Sequence, residues 1–206
     1  SVTDGGGGEV QYAYNGNEHA LYSRFHVYGV KDGDQLWKVQ VLTYYGTRNG
    51  SVISALYKVR YAALTGADTA TKEIDLDGVA GGTGTSATNP SECIDLGSGA
   101  RAMLSADEAR NSKAWHLCVR RDSIFVNGEV GGPRGIGAID LQAAATPNET
   151  LTAVEALTAD GTKPQYDAVN AASFEGKTFR GDRVISACSD RWIKGGEPIH
   201  DALLVL

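Results

Sequence analysis

The fold is most constrained by a strict alternation of residue character in the first third of the chain, interrupted at Asp-Gly and Asn-Gly pairs. In the segment LWKVQVL, residues 36–42, successive side chains are predicted to point to opposite faces of a strand. One face carries Leu36, Lys38 and Gln40, and the other carries Trp37, Val39 and Val41. The connectors KDGD and GTRNGS contain the dipeptides preferred in two-residue β-hairpins. The segments VQYAYNG, ALYSRFHVYGV, LWKVQVLTYYG and ALYKVRYAAL are therefore predicted to form an antiparallel meander.

The rest of the chain adds short helices to this β pattern. Ser105 and Glu108 have the spacing of a capping box, with Arg110 in the last turn of the same short helix. A second short helix is predicted around Glu149 to Leu157. The predicted fold class is mainly β, an antiparallel sandwich or barrel-like domain with one or two short helices. Residues 9–206 are predicted to form this single domain, preceded by a flexible tether at residues 1–8.

Composition narrows the class of function. The formal net charge is −6 and no cluster of lysine and arginine stands out, so nucleic-acid binding is not expected. No apolar run approaches the roughly 20 residues of a membrane span. The start SVTDGGGG is typical of a processed secreted protein or of the tether of a lipoprotein. The second interpretation predicts a lipid anchor at the amino end. No nucleophile with a base and no paired carboxylates stand out, so an enzyme is not expected.

The three cysteines allow one disulfide and leave one thiol. Cys93 and Cys118 are the predicted pair, because they fall in neighbouring predicted strands on either side of the short helix. Cys188 is then either a buried thiol or an intermolecular partner.

One motif of the chain resembles a known family. Trp115 followed by HLCVRR and then by VNGEVGGPRG resembles the strand and turn signature of the HmuY-like family of secreted or lipid-anchored surface proteins of Gram-negative bacteria. The segments LWKVQVLTYYG with YKVRYAAL, and CIDLGSG, resemble two further parts of that family, although the order of the motifs differs here. The resemblance implies a β-rich protein at the outer membrane surface, in the periplasm or outside the cell, which binds haem or a metal ion for uptake.

Histidines are the candidate ligands, because Met103 is the only methionine and a pair of methionines is excluded. His26 and His116 lie in predicted strands beside aromatic residues, and imidazole suits haem iron and copper. The predicted apolar wall of that site comprises Tyr22, Tyr28 and Trp115. The adjacent Trp115 and His116 also resemble, more distantly, the copper-binding MopE and CorA-type surface proteins of methanotrophs. The alternative is that both are ordinary structural histidines.

Trp115 is itself predicted to be a core anchor that shares a strand face with Leu117 and Val119. His116, Cys118 and Arg120 would then lie on the opposite face. The glycines of GGPRG are interpreted as a sharp turn with a bulge, because the order of a phosphate-binding loop is absent.

Calcium is a third candidate ligand. Asp75 and Asp77 place two carboxylates in DLDG, although the twelve-residue order of an EF-hand is absent. The alternative is a solvated hairpin tip.

These observations predict a non-enzymatic surface protein that binds haem or copper for uptake. The alternative is a structural or accessory subunit of a surface assembly, which acts through protein partners and has no cofactor of its own.

Overall fold

The structure is a computed structural model, described here over residues 11–81 and 88–182 and at the two short strands 193–194 and 197–198. The predicted tether at residues 1–8 and Cys188 lie outside the described residues. The strands are β1 (Tyr12–Asn15), β2 (Ala20–Ser23), β3 (Val27–Asp32), β4 (Gln35–Arg48), β5 (Ser51–Ala63), β6 (Lys72–Asp77), β7 (Ser91–Ile94), β8 (Arg101–Leu104), β9 (Leu117–Arg120), β10 (Ser123–Val126), β11 (Gly137–Asp140), β12 (Ile193–Lys194) and β13 (Glu197–Pro198). The α-helices are α1 (Ala106–Asn111), α2 (Leu151–Glu155) and α3 (Lys163–Ala168).

The two larger antiparallel sheets form the body of the described part of the fold. The first has the order β11-β3-β4-β5-β6, and the second has the order β10-β9-β7-β8. A main core of buried apolar residues from both sheets lies between them, which is the arrangement of a sandwich. The predicted fold class, mainly β with short helices, is therefore confirmed.

The predicted meander is correct for β3 to β5, where each strand pairs with the next along the chain, and β6, which was not among the predicted segments, extends it. Its first segment behaves differently, because β1 pairs with β2 in a separate two-stranded sheet. The segment ALYSRFHVYGV was predicted as one strand, but the chain breaks it between β2 and β3. At that break Phe25 has a φ of 53°, a left-handed conformation that a regular strand does not contain.

The predicted alternation in β4 is confirmed. Trp37, Val39 and Val41 belong to the core between the sheets. The opposite face, with Leu36, Lys38 and Gln40, is buried as well. It is covered by residues that follow β11, so β4 is buried on both faces at these positions.

This covering layer is helical. A 3-10 turn at Ala143–Asn148, helices α2 and α3, and a second 3-10 turn at Ala171–Phe174 follow one another along the chain. Tyr166, Val169 and Phe174 form a second apolar cluster with residues of the sheet. A Cβ atom at position 29 would overlap the Phe174 ring, which is why β3 carries glycine there.

The short helices follow their local sequence signals. Ser105 and Glu108 form the predicted capping box at α1, and Arg110 lies in its last turn. Helix α2 lies within the predicted range 149–157, and the Thr150 side chain caps it.

Residues 180–182 join the outer edges of the two sheets. Ala138 of β11 exchanges two backbone hydrogen bonds with Arg180. Asp182 accepts a backbone hydrogen bond from Val130 and donates one to Gly128, just after β10. We call residues 180–182 the closing segment.

Among the described residues, no helix has the length and apolar character needed to cross a membrane.

Candidate functional site: two buried histidines and their carboxylates

His26 lies at the start of β3, held between two carboxylates. Its Nδ1 is 2.7 Å from Asp140 Oδ2, and its Nε2 is 2.8 Å from Glu149 Oε1. Glu149 also pairs with Arg24. The imidazole is 3% exposed, so water does not compete for these hydrogen bonds. Both ring nitrogens are therefore occupied by protein groups.

The kink between β2 and β3 positions this histidine. The Ser23 hydroxyl accepts a hydrogen bond from the Phe25 amide, and Gln40 donates to the Phe25 carbonyl. After His26, the Val27 amide donates a hydrogen bond to the side-chain oxygen of Gln142. The kink and the segment after β11 are thus fixed to each other around His26.

The two carboxylates keep His26 in its charged form. Burial by itself lowers the pKa of His26, but the hydrogen bonds and negative charges of Asp140 and Glu149 together outweigh it and raise the pKa. Burial of Glu149 acts to raise the pKa of that carboxyl, yet His26 and Arg24 lower it overall. A protonated imidazole donates from both nitrogens, so two carboxylate partners favour the cation.

We expect the stability that His26 contributes to depend on pH. Because the folded-state pKa is raised, this contribution is complete below the unfolded pKa of about 6.5 and is lost as pH rises through the folded pKa. Below about pH 6, His26→Gln should lower the free energy of unfolding by about 2 kcal/mol, the range of hydrogen bonds to charged groups. Urea unfolding of both proteins across neutral and alkaline pH measures the difference.

The matched control for this experiment is His19→Asn, because His19 is exposed in the turn between β1 and β2. It should leave the pH profile unchanged. A difference between wild type and His26→Gln that stays constant across the same pH range would contradict a charged His26.

His116 is fully buried, with 0% of its surface exposed. The Leu96 amide donates to its Nδ1, and the ring packs edge-on against Trp37 with centroids 4.6 Å apart. Its Nε2 lies 3.4 Å from Asp32 Oδ2, and its Nδ1 lies 3.4 Å from Asp95 Oδ2.

Arg134 bridges the two aspartates beside His116. Its Nε donates to Asp32 at 2.9 Å and one terminal nitrogen donates to Asp95 at 2.6 Å. Burial is the main cause that lowers the pKa of His116, and the Arg134 charge adds to it, against the opposite effect of the aspartates. Burial acts to raise the pKa of Asp95, but the Ser98 amide and Arg134 lower it to about 2. Arg134 therefore fixes the turn at residues 127–135 to the ends of β3 and β7, beside the buried His116 ring.

The structure does not bring the two predicted ligand histidines together. His26 precedes β3, whereas His116 contacts Asp32 at the far end of the same strand. Six residues of strand correspond to about 20 Å at about 3.3 Å per residue. Two imidazole nitrogens on one metal ion each lie about 2 Å from it, so they need to be within about 4 Å of each other. A separation of about 20 Å does not fit two imidazoles bound to one metal ion.

The predicted aromatic wall is divided as well. Tyr28 lies near His26, with ring centroids 6.4 Å apart. The Tyr22 hydroxyl donates to Glu18, and this hydrogen bond raises the pKa of Tyr22 to about 12. Trp115 packs in a third cluster with Cys93 and Cys118.

Trp115 is confirmed as a core residue, since it is 1% exposed, but its predicted face is wrong. Leu117 and Val119 belong to the main core between the sheets, not to the cluster of Trp115. The alternation fails because β9 begins at Leu117, so positions 115 and 116 precede the strand. His116 correspondingly contacts Trp37 of the main core, whereas Cys118 faces Trp115.

Both candidate calcium ligands lie on β6 and each is paired with a cation. Asp77 lies 2.6 Å from Arg48, and Asp75 lies 3.8 Å from Lys58. Neither carboxylate is therefore an unpaired anion. Across the part of the chain that the structure describes, no group of three or more histidine, cysteine, aspartate or glutamate side chains has an arrangement that could hold a metal ion.

The predicted disulfide between Cys93 and Cys118 is confirmed. The two cysteines are directly opposite each other on β7 and β9.

The sequence analysis missed the partners of the histidines: Arg24, Asp140 and Glu149 for His26, and Asp32, Asp95 and Arg134 for His116. Asp140 is 114 residues from His26 along the chain, so no local spacing connects them.

Comparisons of the chain with protein-family models, with curated proteins and with solved structures found no match.

Proposed function

We propose that this chain is a non-enzymatic accessory protein of a bacterial surface assembly, which acts through contacts with protein partners. The observation that carries the proposal is the state of the two histidines. Each is buried beside carboxylates in a network that ties distant segments together, which supports a structural role for both. Their positions at opposite ends of β3 do not favour a joint haem or copper site.

The disulfide supports the location outside the cytoplasm. Such bonds persist in oxidising compartments and are rare where thiols are kept reduced. A bond buried between two adjacent strands is part of the fold, in contrast to an exposed catalytic pair. A periplasmic, outer-surface or extracellular location in a Gram-negative bacterium, with or without a lipid anchor, is consistent with it.

Uptake of haem or a metal ion is the second candidate, and the resemblance of the Trp115 segment to the HmuY-like family favours it. In the structure this segment contains the hairpin of β9 and β10, followed by the turn at Asn127 and Gly128. A site of this kind would need to use one of the two histidines with another ligand, because the pair is separated.

One set of measurements separates the two candidates. The oxidised protein is titrated with haemin and, separately, with copper, and its absorption spectrum and retained metal are recorded. We expect spectra that are the sum of the components, no retained copper, and co-purification of the tagged chain from its own host at a fixed ratio to a larger assembly. A Soret shift that saturates at one haemin per chain would overturn the proposal, and its loss in His26→Ala or His116→Ala would identify the ligand.

A further inference from the structure

The sequence contains three Asn-Gly pairs, Asn15-Gly16, Asn49-Gly50 and Asn127-Gly128. This dipeptide has an intrinsic reactivity, because the amide nitrogen of the following residue can attack the asparagine side-chain carbon. Glycine permits the close approach, since it has no side chain and a wide range of backbone conformations. The three pairs are chemically equivalent in an unfolded chain, so any difference between them comes from the fold.

The fold holds Asn127 in place on every side. Its side-chain nitrogen donates hydrogen bonds to the Ser112 and Trp115 carbonyls, and its side-chain oxygen accepts one from the Arg134 backbone amide. The side chain is 0% exposed. The Gly128 nitrogen, which would be the attacking atom, donates to Val126 at 2.9 Å. Reaction here requires the turn to open.

Asn15 is also restrained, although its glycine is exposed. The side-chain nitrogen donates to Glu155 of α2 at 2.7 Å, and the oxygen accepts the Asn17 and Glu18 amides. The residue is 9% exposed. These contacts hold both polar atoms of the side chain, so reaction here requires them to break.

Asn49 and Gly50 are in a different environment, at the tip of the hairpin between β4 and β5. Both residues are exposed, and an added Cβ at Gly50 would meet no atom within 4 Å. Their φ values of 53° and 78° and the pairing of Arg48 with Ser51 define a two-residue loop with positive φ at both positions. Two residues at a solvated tip move with little cost to the rest of the sheet.

We propose that Asn49 is a site of spontaneous deamidation in the folded protein, while the other two Asn-Gly pairs are protected. The Gly50 nitrogen forms a bond to the Asn49 side-chain carbon, and the bond from that carbon to the side-chain nitrogen breaks, so that ammonia leaves and a succinimide remains. Water then adds to either ring carbonyl and opens the ring to aspartate or isoaspartate. Water is the only co-reactant, and no oxidation or reduction takes place.

The product changes the charge and geometry of the hairpin tip. A carboxylate appears beside Arg48, which lies 2.6 Å from Asp77 in the unmodified protein. Isoaspartate adds one carbon to the backbone path, so the two-residue loop cannot keep the Arg48–Ser51 register. The modification therefore alters one exposed hairpin and leaves both sheets in place.

The test follows the three sites in the same sample. The oxidised full chain is incubated in mildly alkaline buffer with and without urea, and peptide mapping by mass spectrometry gives the fraction of amide converted to carboxyl at each asparagine. In the native protein we expect Asn49 to react more than about tenfold faster than Asn15 and Asn127, which corresponds to opening free energies above about 1.4 kcal/mol at the protected sites. In urea the three rates should converge.

The variant Asn49→Gly, which tolerates the positive φ of this position, should remove the mass gain of the native protein, while circular dichroism and the melting temperature stay close to the wild-type values. A native ratio below tenfold would overturn the proposal. Absence of product at Asn49 in the native protein, with product at all three sites in urea, would overturn it equally.

Discussion

Replacing Cys93 and Cys118 together by alanine is expected to lower the free energy of unfolding by about 3.5 kcal/mol, the chain-entropy value for a loop of this length. The bond spans 25 residues, which include β8, α1 and Trp115. It also lies where the second sheet is weakest, because the described pairing of β7 with β9 consists of Cys93 with Cys118 and Ile94 with Leu117. Without the bond, the β8–β7 and β9–β10 halves of this sheet are held mainly by packing.

Urea unfolding monitored by tryptophan fluorescence measures this loss. All proteins in the series should carry Cys188→Ala, so that no third thiol can exchange with the pair. Reduction of the protein that retains Cys93 and Cys118 is the matched control and should produce a similar loss. If the oxidised protein, the reduced protein and the alanine variant unfold at the same urea concentration, the disulfide has no stabilising role.

Lys38→Met is expected to lower the free energy of unfolding by about 3 kcal/mol, because buried carbonyls lose a charged donor. The Lys38 ammonium donates to the Tyr166 and Val169 carbonyls, each at 2.9 Å, and lies 4.4 Å from the centre of the Tyr166 ring. These carbonyls lie at the carboxyl end of α3, where a cation is also favoured by the helix dipole. Burial lowers the pKa of Lys38, and the carbonyls replace the water that the ammonium has lost.

The effect should be concentrated where the lysine binds. Hydrogen exchange is expected to accelerate in α3 and in the 3-10 turn at Ala171–Phe174, with little change in β9 and β10. Lys58→Met is the matched control, because Lys58 is exposed on the adjacent strand and its ion pair with Asp75 is open to solvent. It should change stability by less than about 1 kcal/mol. Equal effects of the two substitutions would show that the carbonyl contacts of Lys38 contribute nothing.

The alternation in β4 predicted which side chains share a face, because strand geometry alone determines it. It did not predict that the face with Lys38 and Gln40 is buried. A strand that is half exposed to water alternates apolar and polar residues. A strand buried between a sheet and a helical layer can show the same alternation when its polar side chains have hydrogen-bond partners inside the protein. Here those partners lie on α3 and on β5, where Arg60 donates to Gln40. The capping box of α1 was predictable because all of its atoms come from four consecutive residues.

The histidine networks were not predictable for the opposite reason. His26 meets Glu149 across 123 residues of sequence, and Arg134 meets Asp32 across 102. Residue type identified the two histidines as unusual, and only the fold shows that carboxylates already occupy or flank their nitrogens. The error at Trp115 has a local origin. The alternation of strand faces was extended to positions 115 and 116, which precede the first residue of β9.

The closing segment has a consequence for the order in which the protein is made. A ribosome that has released the chain only to residue 175 has supplied β1 to β11 and the helical layer, but not Arg180 or Asp182. The backbone groups of Ala138, Gly128 and Val130 that these residues bind in the finished protein are then without those partners. Unpaired strand edges are templates for association with other chains. Until residue 182 arrives, these edges of the two sheets therefore lack the backbone partners that protect them from mispairing in the finished protein.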